Sequence, residues 1–332
     1  NLTTPGPVTL AKTLKKMSNK DINYVVMEAS SHGLDQKRLD TLFFDIAILT
    51  NISHDHLDYH RTKKNYIESK MKLFKDHLKK NGRGIININN LNDKNIKKKI
   101  KQLGKNIIFF GNKKSDFQIM NIKNYKTLSI ASASYQKKIF QFKFKNFPSF
   151  QIENALLAVT CLLSLGFKIE KLQKLTSTLP GVPGRMQFVG KKKNGARVFV
   201  DFAHTPDALE RILIDGKKMT NGKLHILFGC GGDRDKKKRA VMGKIANKCS
   251  DHIIITDDNP RFENPSKIRK EIIGKNKNFI NFSCREKAIE YGIKSLVKND
   301  ILIIAGKGHE KFQIVKDKYY KFDDFKIARK YC

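Results

Sequence analysis

Short apolar runs that change abruptly to polar clusters constrain the fold of this chain more than any other feature of its sequence. Each run consists mainly of Ile, Val, Leu or Phe and leads into residues such as Gly, Asp, Asn, His or Ser. Continuous runs of this kind predict parallel strands that are buried on both faces. The runs occupy residues 24–27, 46–49, 198–200, 226–228, 253–255 and 301–305.

Amphipathic segments follow the later runs, and the alternation of the two patterns predicts a doubly wound α/β fold. In such folds ligands bind at the carboxyl ends of the strands, so the polar clusters should gather along that edge of the sheet. The amphipathic segments are 207–218, 236–248, 265–273 and 285–297.

The pattern changes within residues 84–148, where every second residue of several short segments is apolar. This period is typical of half-exposed antiparallel strands. An apolar helix is predicted over 152–165, and a linker rich in Pro and Gly is predicted over 179–186. We therefore predict two domains, 1–182 and 183–332, the first with a parallel sheet and a small antiparallel sheet.

The formal net charge of +35 raises the question of nucleic-acid binding. Lysine supplies 54 of the 66 basic residues, and these lysines are scattered rather than clustered. Recognition of bases and phosphates favours arginine instead. We therefore expect no specific nucleic-acid partner, and a basic nucleic-acid-binding protein stays as an alternative.

The apolar and cysteine patterns indicate the cellular compartment. No apolar run approaches the roughly 20 residues of a membrane helix, and the first residues lack the apolar core of a signal peptide. The five cysteines are widely spaced, which argues against a disulfide framework and a structural zinc site. We expect a cytoplasmic monomer without a membrane partner. Because the first residue is Asn1, we also expect a fragment that lacks an N-terminal part.

Candidate metal ligands follow the first two apolar runs. Residues 51–60 contain three His and two Asp, which are ligand types for Zn, Mn or Mg. Glu28, directly after the run at 24–27, could hold Mg²⁺ opposite a nucleotide phosphate. Helix capping by residues 51–60, and hydrogen bonding of Glu28 to nearby backbone, explain the same residues equally well.

Residues 229–235, Gly-Cys-Gly-Gly-Asp-Arg-Asp, are typical of a loop that binds phosphate at a helix N-terminus. Arg234 stands where the dinucleotide-binding motif needs its third Gly, which argues against a dehydrogenase. Gln313 stands where a zinc-protease motif beginning at His309 needs its second His. The chain also contains no Walker-type phosphate loop.

Residues 257–262 combine two carboxylates, an amide and a guanidinium beside Pro260. Arg261 offers paired donors for a carboxylate, while Asp258 and Asn259 offer acceptors for an ammonium group. The set suits a zwitterionic amino acid. An Asx-type turn that closes a strand explains the same residues.

Taken together, these clusters resemble the motifs of the Mur ligase family, in the same order and over essentially the whole chain. The motifs are Glu28-Ala-Ser-Ser-His-Gly-Leu-x-Gln-x-Arg38, Thr50-Asn-Ile-Ser-x-Asp-His-Leu-Asp-Tyr-His60, Pro183-Gly-Arg-Met186, Asp201-Phe-Ala-His-Thr-Pro-Asp207, Gly229-Cys-Gly-Gly-Asp-Arg-Asp235, Asp258-Asn-Pro-Arg261 and Gly306-Lys-Gly-His-Glu310. The resemblance implies most of a central ATPase domain, followed by a Rossmann-like C-terminal domain that binds an amino acid. The family's N-terminal domain and phosphate loop would precede Asn1.

The resemblance implies an ATP-dependent, amide-bond-forming ligase of peptidoglycan synthesis with Mg²⁺ as cofactor. Such an enzyme adds meso-2,6-diaminopimelate to the D-glutamyl γ-carboxylate of UDP-N-acetylmuramoyl-L-Ala-D-Glu through an acyl phosphate. Ligases of the same fold that add lysine, or that extend folylpolyglutamate, are the alternatives. Relatives that add lysine lack the arginine at position 261, which could bind the second carboxylate of diaminopimelate.

Carried over residue by residue, the resemblance also implies the site residues. The catalytic residues that coordinate Mg²⁺ would be Glu28, His56 and Lys70, the last as a CO₂ adduct (N6-carboxylysine). The UDP-muramoyl-dipeptide would contact Thr3, Thr4, Ser30, Gln36 and Arg38. ATP would contact Asn154, Arg185 and Asp201. Diaminopimelate would contact Arg234, Asp258, Asn259, Pro260, Arg261, Gly306 and Glu310. The chain departs from the family pattern at Gln151, where the family usually has Asn near the adenine, and at Leu2, where some members have Asn.

Overall fold

The computed structural model describes residues 2–52, 56–89, 91, 96, 99–100, 102–104, 106–112, 114–125, 128–145 and 147–332, without the side chains of residues 57 and 58. The chain forms two compact units. Unit 1 contains Asn1–Asn146 and Gln151–Thr178, and unit 2 contains Phe147–Phe150 and Leu179–Cys332. Within the described ranges, no helix combines the length and the apolar character that crossing a bilayer requires.

Unit 1 combines helices with one mixed sheet. Its described helices are α1 (Pro7–Ser18), α2 (Ser31–Asp35), α3 (Leu57–His60), α4 (Lys63–Lys75), α5 (Ser149–Ser164) and α6 (Ile169–Thr176). The first two residues of α5 are counted with unit 2. Its described strands are β1 (Phe44–Leu49), β2 (Leu78–Asn87), β3 (Ile107–Gly111), β4 (Phe117–Asn124), β5 (Leu128–Tyr135) and β6 (Lys138–Lys145).

The six strands of this sheet are hydrogen-bonded in sequence order, so the predicted parallel and antiparallel parts form one continuous sheet. Strands β1 to β4 are parallel, and β4 to β6 are antiparallel. The antiparallel prediction is therefore right for β4 to β6 and wrong for β2 and β3. Ile85 and Ile86 of β2 are both fully buried, which is typical of a parallel strand covered on both faces.

The predicted strand at 24–27 is wrong. The segment has no strand assignment, and its side chains are largely exposed, with 97% of Val26 accessible to solvent. An apolar run becomes a buried strand only when a neighbouring strand pairs with its backbone and a second layer covers its side chains. No described strand pairs with this segment.

Unit 2 contains a second sheet with helices on both faces. Its described helices are α7 (Pro206–Met219), α8 (Lys237–Cys249), α9 (Pro265–Ile273), α10 (Arg285–Lys294) and α11 (Asp324–Tyr331). Its described strands are β7 (Gln187–Lys191), β8 (Arg197–Asp201), β9 (Leu224–Phe228), β10 (His252–Ile255), β11 (Phe279–Asn281), β12 (Ile301–Ala305), β13 (Phe312–Val315) and β14 (Lys318–Lys321).

The main sheet of unit 2 has the order β11-β10-β9-β12-β8-β7, and only β7 runs antiparallel to its neighbour. Side chains of alternate residues enter different cores: Ile226 lies in the core formed with α7, α8 and α9, whereas Leu227 lies in the core formed with α10 and α11. This arrangement confirms the doubly wound α/β prediction for unit 2. Strands β13 and β14 form a separate hairpin.

Capping residues explain where several helices begin. Thr205 accepts a hydrogen bond from the Ala208 backbone N–H at the start of α7, and Asn264 accepts two at the start of α9. In both helices a proline occupies the first helical turn, where its missing N–H leaves no hydrogen bond unmade. The predicted starts of α7 and α9 therefore lie within one residue of the observed ones.

Candidate active site

Three loops of unit 2 meet at the carboxyl edge of the sheet, where the alternating pattern predicts a ligand site. Arg261 Nη1 donates to the Gly232 carbonyl at 2.8 Å and so joins two of the loops. Lys307 Nζ donates to Asn259 Oδ1 at 2.9 Å and joins the third. The meeting point is termed the strand-end pocket, and its loops are 229–236 after β9, 256–264 after β10 and 306–311 after β12.

Two glycines allow the loops of the strand-end pocket to approach closely. A Cβ atom on Gly232 would overlap the carbonyl oxygen of Pro260. Gly306 has φ of +111°, and a Cβ there would lie 2.8 Å from Asp258 Oδ2. Side chains at either position would separate the loops, because Gly alone tolerates this backbone geometry and this contact.

Asn259 and Glu310 are held side by side in the strand-end pocket. Asn259 Nδ2 donates to Glu310 Oε2 at 3.0 Å, and Asn259 Oδ1 accepts from the Ile314 backbone N–H at 3.0 Å. Asn259 is buried, whereas 37% of the Glu310 side chain is exposed. The buried Asn259 thus orients the Glu310 carboxylate, which remains accessible to solvent.

Arg261 occupies a strained backbone position in the same pocket, with φ of +50°. Its backbone is fixed by hydrogen bonds to Ile314 and Lys316 of the hairpin region. Within the described part of the chain, the hydrogen bonds of its guanidinium all start from Nη1, to the Gly232 and Asn259 carbonyls. The side chain is half-buried rather than extended into solvent.

Most of the residues assigned to diaminopimelate by resemblance therefore lie together. The structure brings together Asp258, Asn259, Pro260, Arg261, Gly306 and Glu310. Arg234 lies on the first loop of the pocket and is exposed.

A buried arginine ties the first two loops of the pocket together. Arg239 is fully buried and donates to the Gly231 carbonyl, to both carboxylate oxygens of Glu263 and to Glu271. Glu263 in turn accepts from the Asp233 backbone N–H at 2.6 Å. The hydrogen bond from Arg239 is the main reason that the pKa of Glu263 is lowered to about 2.

Two of the three residues assigned to ATP lie in unit 2. Asp201 is buried and accepts hydrogen bonds from the Met186 and Ala203 backbone N–H groups, both at 2.7 Å. Burial raises the pKa of Asp201 to about 6. Arg185 is exposed, and its guanidinium lies 4.8 Å from the centroid of the Phe202 ring. Asn154 belongs to unit 1, where it is exposed on α5.

Four of the five residues assigned to the UDP-muramoyl-dipeptide form one hydrogen-bonded group in unit 1. Thr4 is fully buried, and its hydroxyl lies 3.0 Å from Ser30 Oγ and donates to the Glu28 carbonyl. Arg38 donates to the Thr4 carbonyl at 2.8 Å and to the Gln36 side chain. The fifth residue, Thr3, is exposed.

The surroundings of the three predicted Mg²⁺ ligands can be described one residue at a time. Lys70 Nζ lies 3.5 Å from the Asn51 carbonyl and 5.1 Å from the centroid of the Tyr66 ring, and the His56 ring lies 6.1 Å from the same ring. The Glu28 side chain is exposed. In the part of the chain that the structure describes, no three His, Cys, Asp or Glu side chains form a metal-binding group.

The His-rich segment 51–60 is only partly described. Residues 53–55, which include His54 and Asp55, lie outside the described residues. His56 has φ of +57° and precedes α3, and its carbonyl accepts from the His60 backbone N–H at 2.9 Å. His60 is buried, with Nε2 3.0 Å from Ser31 Oγ.

A cavity of about 530 Å³ opens beside the Gln36 and Arg38 group in unit 1. Tyr59 lines it and accepts from Gln36 Nε2 at 3.2 Å. Asp35 also lines it; partial burial opposes ionisation, but hydrogen bonds from Lys72, Tyr59 and Ser69 lower the pKa of Asp35 overall. The other lining residues are His60, Arg61, Asn65, Glu68, Ser69 and Lys72.

Sequence reasoning missed the buried charged residues that organise the strand-end pocket, namely Arg239, Lys307 and Arg285. Lys307 lies inside the motif Gly306–Glu310, and Arg239 follows the Gly-rich loop. Their closeness to these motifs could have indicated that they belong to the site. Among 54 scattered lysines, however, the sequence contains no mark that distinguishes a buried lysine from a solvated one.

Two family models match the chain. Residues 1–162 match the Mur ligase middle domain, and residues 184–308 match the Mur ligase, glutamate ligase domain. The UDP-N-acetylmuramoyl-L-alanyl-D-glutamate–2,6-diaminopimelate ligase of Rickettsia typhi is 43% identical over 100% of this chain and 67% of its own length. The ligase of the same name from Agrobacterium fabrum is 37% identical over 99% of this chain and 67% of its own length.

Solved structures agree with these matches. A structure of a UDP-N-acetylmuramoyl-L-alanyl-D-glutamate–2,6-diaminopimelate ligase is 30% identical, with a TM-score of 0.65 over 99% of this chain and 68% of its own. The fold is shared with a MurF ligase from Thermotoga maritima in complex with ADP, at 21% identity and a TM-score of 0.65 over 80% of this chain and 59% of its own. The chain therefore belongs to the Mur ligase family.

Proposed function

We propose that this protein is an ATP-dependent ligase that joins meso-2,6-diaminopimelate to the D-glutamyl γ-carboxylate of UDP-N-acetylmuramoyl-L-Ala-D-Glu. The observation that carries the proposal is the strand-end pocket, whose loops bring together the Arg261 guanidinium, the Asn259 amide and the carboxylates of Asp258 and Glu310. The names of the Rickettsia and Agrobacterium relatives support the same substrate. The nucleotide substrates favour a cytoplasmic location.

The pocket chemistry suits an amino acid with a second charged end. The accessible Glu310 carboxylate can accept hydrogen bonds from an ammonium group, and the Arg261 guanidinium can donate to a carboxylate. Since the Gly232 and Asn259 carbonyls are bonded to Nη1, the Nε and Nη2 edge is the part that suits a ligand carboxylate. Diaminopimelate carries both groups at its distal end, whereas lysine carries only the ammonium.

In the proposed reaction the D-glutamyl γ-carboxylate attacks the γ-phosphate of ATP and forms an acyl phosphate with release of ADP. The neutral amine of diaminopimelate then attacks the acyl carbon, the amide bond forms and phosphate leaves. We assign Asn154, Arg185 and Asp201 to ATP. Asp201 accepts a hydrogen bond from the backbone N–H of Met186, the residue that follows Arg185.

The UDP-muramoyl-dipeptide is assigned to Thr3, Thr4, Ser30, Gln36 and Arg38. The Thr4 hydroxyl already has partners inside the chain, so its contribution is to position Ser30. The exposed Thr3 hydroxyl and the polar groups of Gln36 and Arg38 suit an anionic, hydroxyl-rich substrate.

Mg²⁺ fits the donor set only after a chemical change to Lys70. An ammonium group has no lone pair, whereas the CO₂ adduct of a lysine offers carboxylate-like oxygens, which Mg²⁺ prefers. His56 and the modified Lys70, with Glu28, would then hold the ion. When bound, Mg²⁺ neutralises charge that develops on the transferred phosphoryl group.

Calorimetric titration with meso-diaminopimelate and with L-lysine tests the substrate. We expect diaminopimelate to bind at least 10-fold more tightly, since a site built to pair a carboxylate rejects ligands that lack it by about 10²–10⁴-fold. Arg261→Ala should remove most of this preference, while Arg211→Ala, a replacement in helix α7 outside the pocket, should leave it unchanged. Phosphate release that depends on ATP, the UDP-muramoyl-dipeptide and diaminopimelate then tests turnover.

Equal binding of lysine would overturn the assignment of diaminopimelate and favour a lysine-adding ligase of the same fold. An affinity for diaminopimelate that survives Arg261→Ala would overturn the role of this arginine.

A further inference from the structure

We propose that Lys307 is a positioning residue for the amino-acid site: its buried ammonium group holds Asn259 and Glu310 in the orientation that binds the substrate's ammonium group. The inference rests on the proposed function and deepens it, because it names the residue that orients the ligand-binding carboxylate.

The burial of Lys307 is the first observation. Its side chain is fully buried, which is rare for lysine because the charged group loses its hydration. A buried lysine is retained only where fixed acceptors replace the lost water. The acceptors around Lys307 therefore show what this residue does.

The three N–H donors of Lys307 match three acceptors in the pocket. Nζ lies 2.9 Å from Asn259 Oδ1, 3.1 Å from Glu310 Oε2 and 2.6 Å from the Phe312 carbonyl. An ammonium group has three donors and no acceptor, so these bonds satisfy it completely. No donor is left for a substrate, which makes Lys307 a positioning residue rather than a catalytic one.

The same contacts close a ring of hydrogen bonds. Lys307 donates to Asn259 and to Glu310, and Asn259 Nδ2 donates to the same Glu310 oxygen at 3.0 Å. Oε2 of Glu310 therefore faces the protein, and the carboxylate presents Oε1 on its accessible side. The ring also fixes which end of the Asn259 amide is the acceptor, since Lys307 and the Ile314 N–H both donate to Oδ1.

Loss of the Lys307 ammonium would release Glu310 from one side of this ring. The half-exposed carboxylate would then turn toward water. A misplacement of about 1 Å in an active site can lower the rate of a reaction roughly 10²-fold. Phe312 would lose the ammonium donor to its carbonyl.

The test is titration of the full chain with meso-diaminopimelate. We expect Lys307→Met to weaken binding at least 10-fold, and Lys217→Met to leave it within twofold. Lys217 is the matched control, because it lies on α7 outside the pocket loops, is 52% exposed and pairs with Asp251. Thermal unfolding of both variants shows whether the fold is retained.

A double-variant cycle with Glu310→Gln separates positioning from general destabilisation. If Lys307 acts through Glu310, the affinity lost in Lys307→Met/Glu310→Gln should be smaller than the product of the two single losses by at least threefold. A purely structural role predicts independent losses that multiply. If wild type fails to bind diaminopimelate, the proposed function fails; if wild type binds and Lys307→Met binds equally well, only the present inference fails.

Discussion

The ion pair between Arg285 and Asp324 allows a quantitative test of how unit 2 is held together. Both side chains are fully buried, and the guanidinium donates to the two carboxylate oxygens at 2.8 and 2.7 Å. It also donates to the carbonyls of Ala305 and Asp257, at 2.9 and 3.4 Å. These carbonyls lie where β12 and β10 lead into the strand-end pocket.

Replacement of Arg285 by Met keeps the length of the side chain and leaves the Asp324 carboxylate buried without its partner. Removal of one partner of a buried pair costs roughly 3–5 kcal/mol, because it leaves an uncompensated buried charge. At about 2–4 °C per kcal/mol, the melting temperature should fall by about 6–20 °C.

Circular dichroism provides the assay, because the chain contains no tryptophan for fluorescence. Lys294→Met is the matched control, since Lys294 lies on the same helix, α10, and pairs with Glu290 while 69% exposed. We expect this control to change stability by less than about 0.5 kcal/mol. Equal shifts of the melting temperature for the two variants would refute the reasoning.

Two further predictions concern residues near the linker. Burial raises the pKa of Asp201 from 3.8 to about 6, so the carboxyl group loses its proton at a lower pH in the unfolded chain than in the folded one. The free energy of unfolding therefore falls, by up to about 3 kcal/mol, as pH rises from about 4 to about 6. Asp201→Asn should abolish that part of the pH dependence of thermal unfolding, and an unchanged slope between pH 4 and 7 would contradict it. Gly184→Ala should destabilise unit 2 by more than about 1 kcal/mol, because Gly184 has φ of +66° and its added Cβ would overlap the His309 backbone. Gly181→Ala, with nothing within 4 Å of the added atom, should be nearly neutral in the same urea unfolding measurement.

The accuracy of sequence-based prediction differed between the two units for a physical reason. In unit 2 the apolar runs at 226–228, 253–255 and 301–305 lie in strands that pair with one another, so local pattern and tertiary environment agree. The run at 24–27 has the same local pattern, but a strand depends on its neighbours, and pattern alone does not specify them. The local pattern also does not specify whether neighbouring strands pair in parallel or antiparallel, as the parallel strands β2 and β3 illustrate.

The candidate site shows a related limit. Glycines, prolines and motif spacing located the loops of the strand-end pocket, because backbone geometry restricts which residues fit there. The partners of buried charges are set by three-dimensional contact: Arg239 reaches Glu263, 24 positions along the chain, and Lys307 reaches Asn259, 48 positions away. The roles of the assigned site residues stay predictions until the variants described above are measured.

Both outer strands of the sheet in unit 2 are poorly suited to pairing with another molecule. At one margin β11 is only three residues long. At the other, β7 contains an irregularity in register between Phe188 and Gly190, and Arg329 of α11 donates to the Val189 carbonyl. Edge strands that are short, bulged or already hydrogen-bonded to a side chain hinder the addition of a strand from another molecule, which leads to fibrous aggregates. A highly apolar parallel sheet can therefore remain dispersed at high concentration without relying on the surface lysines alone.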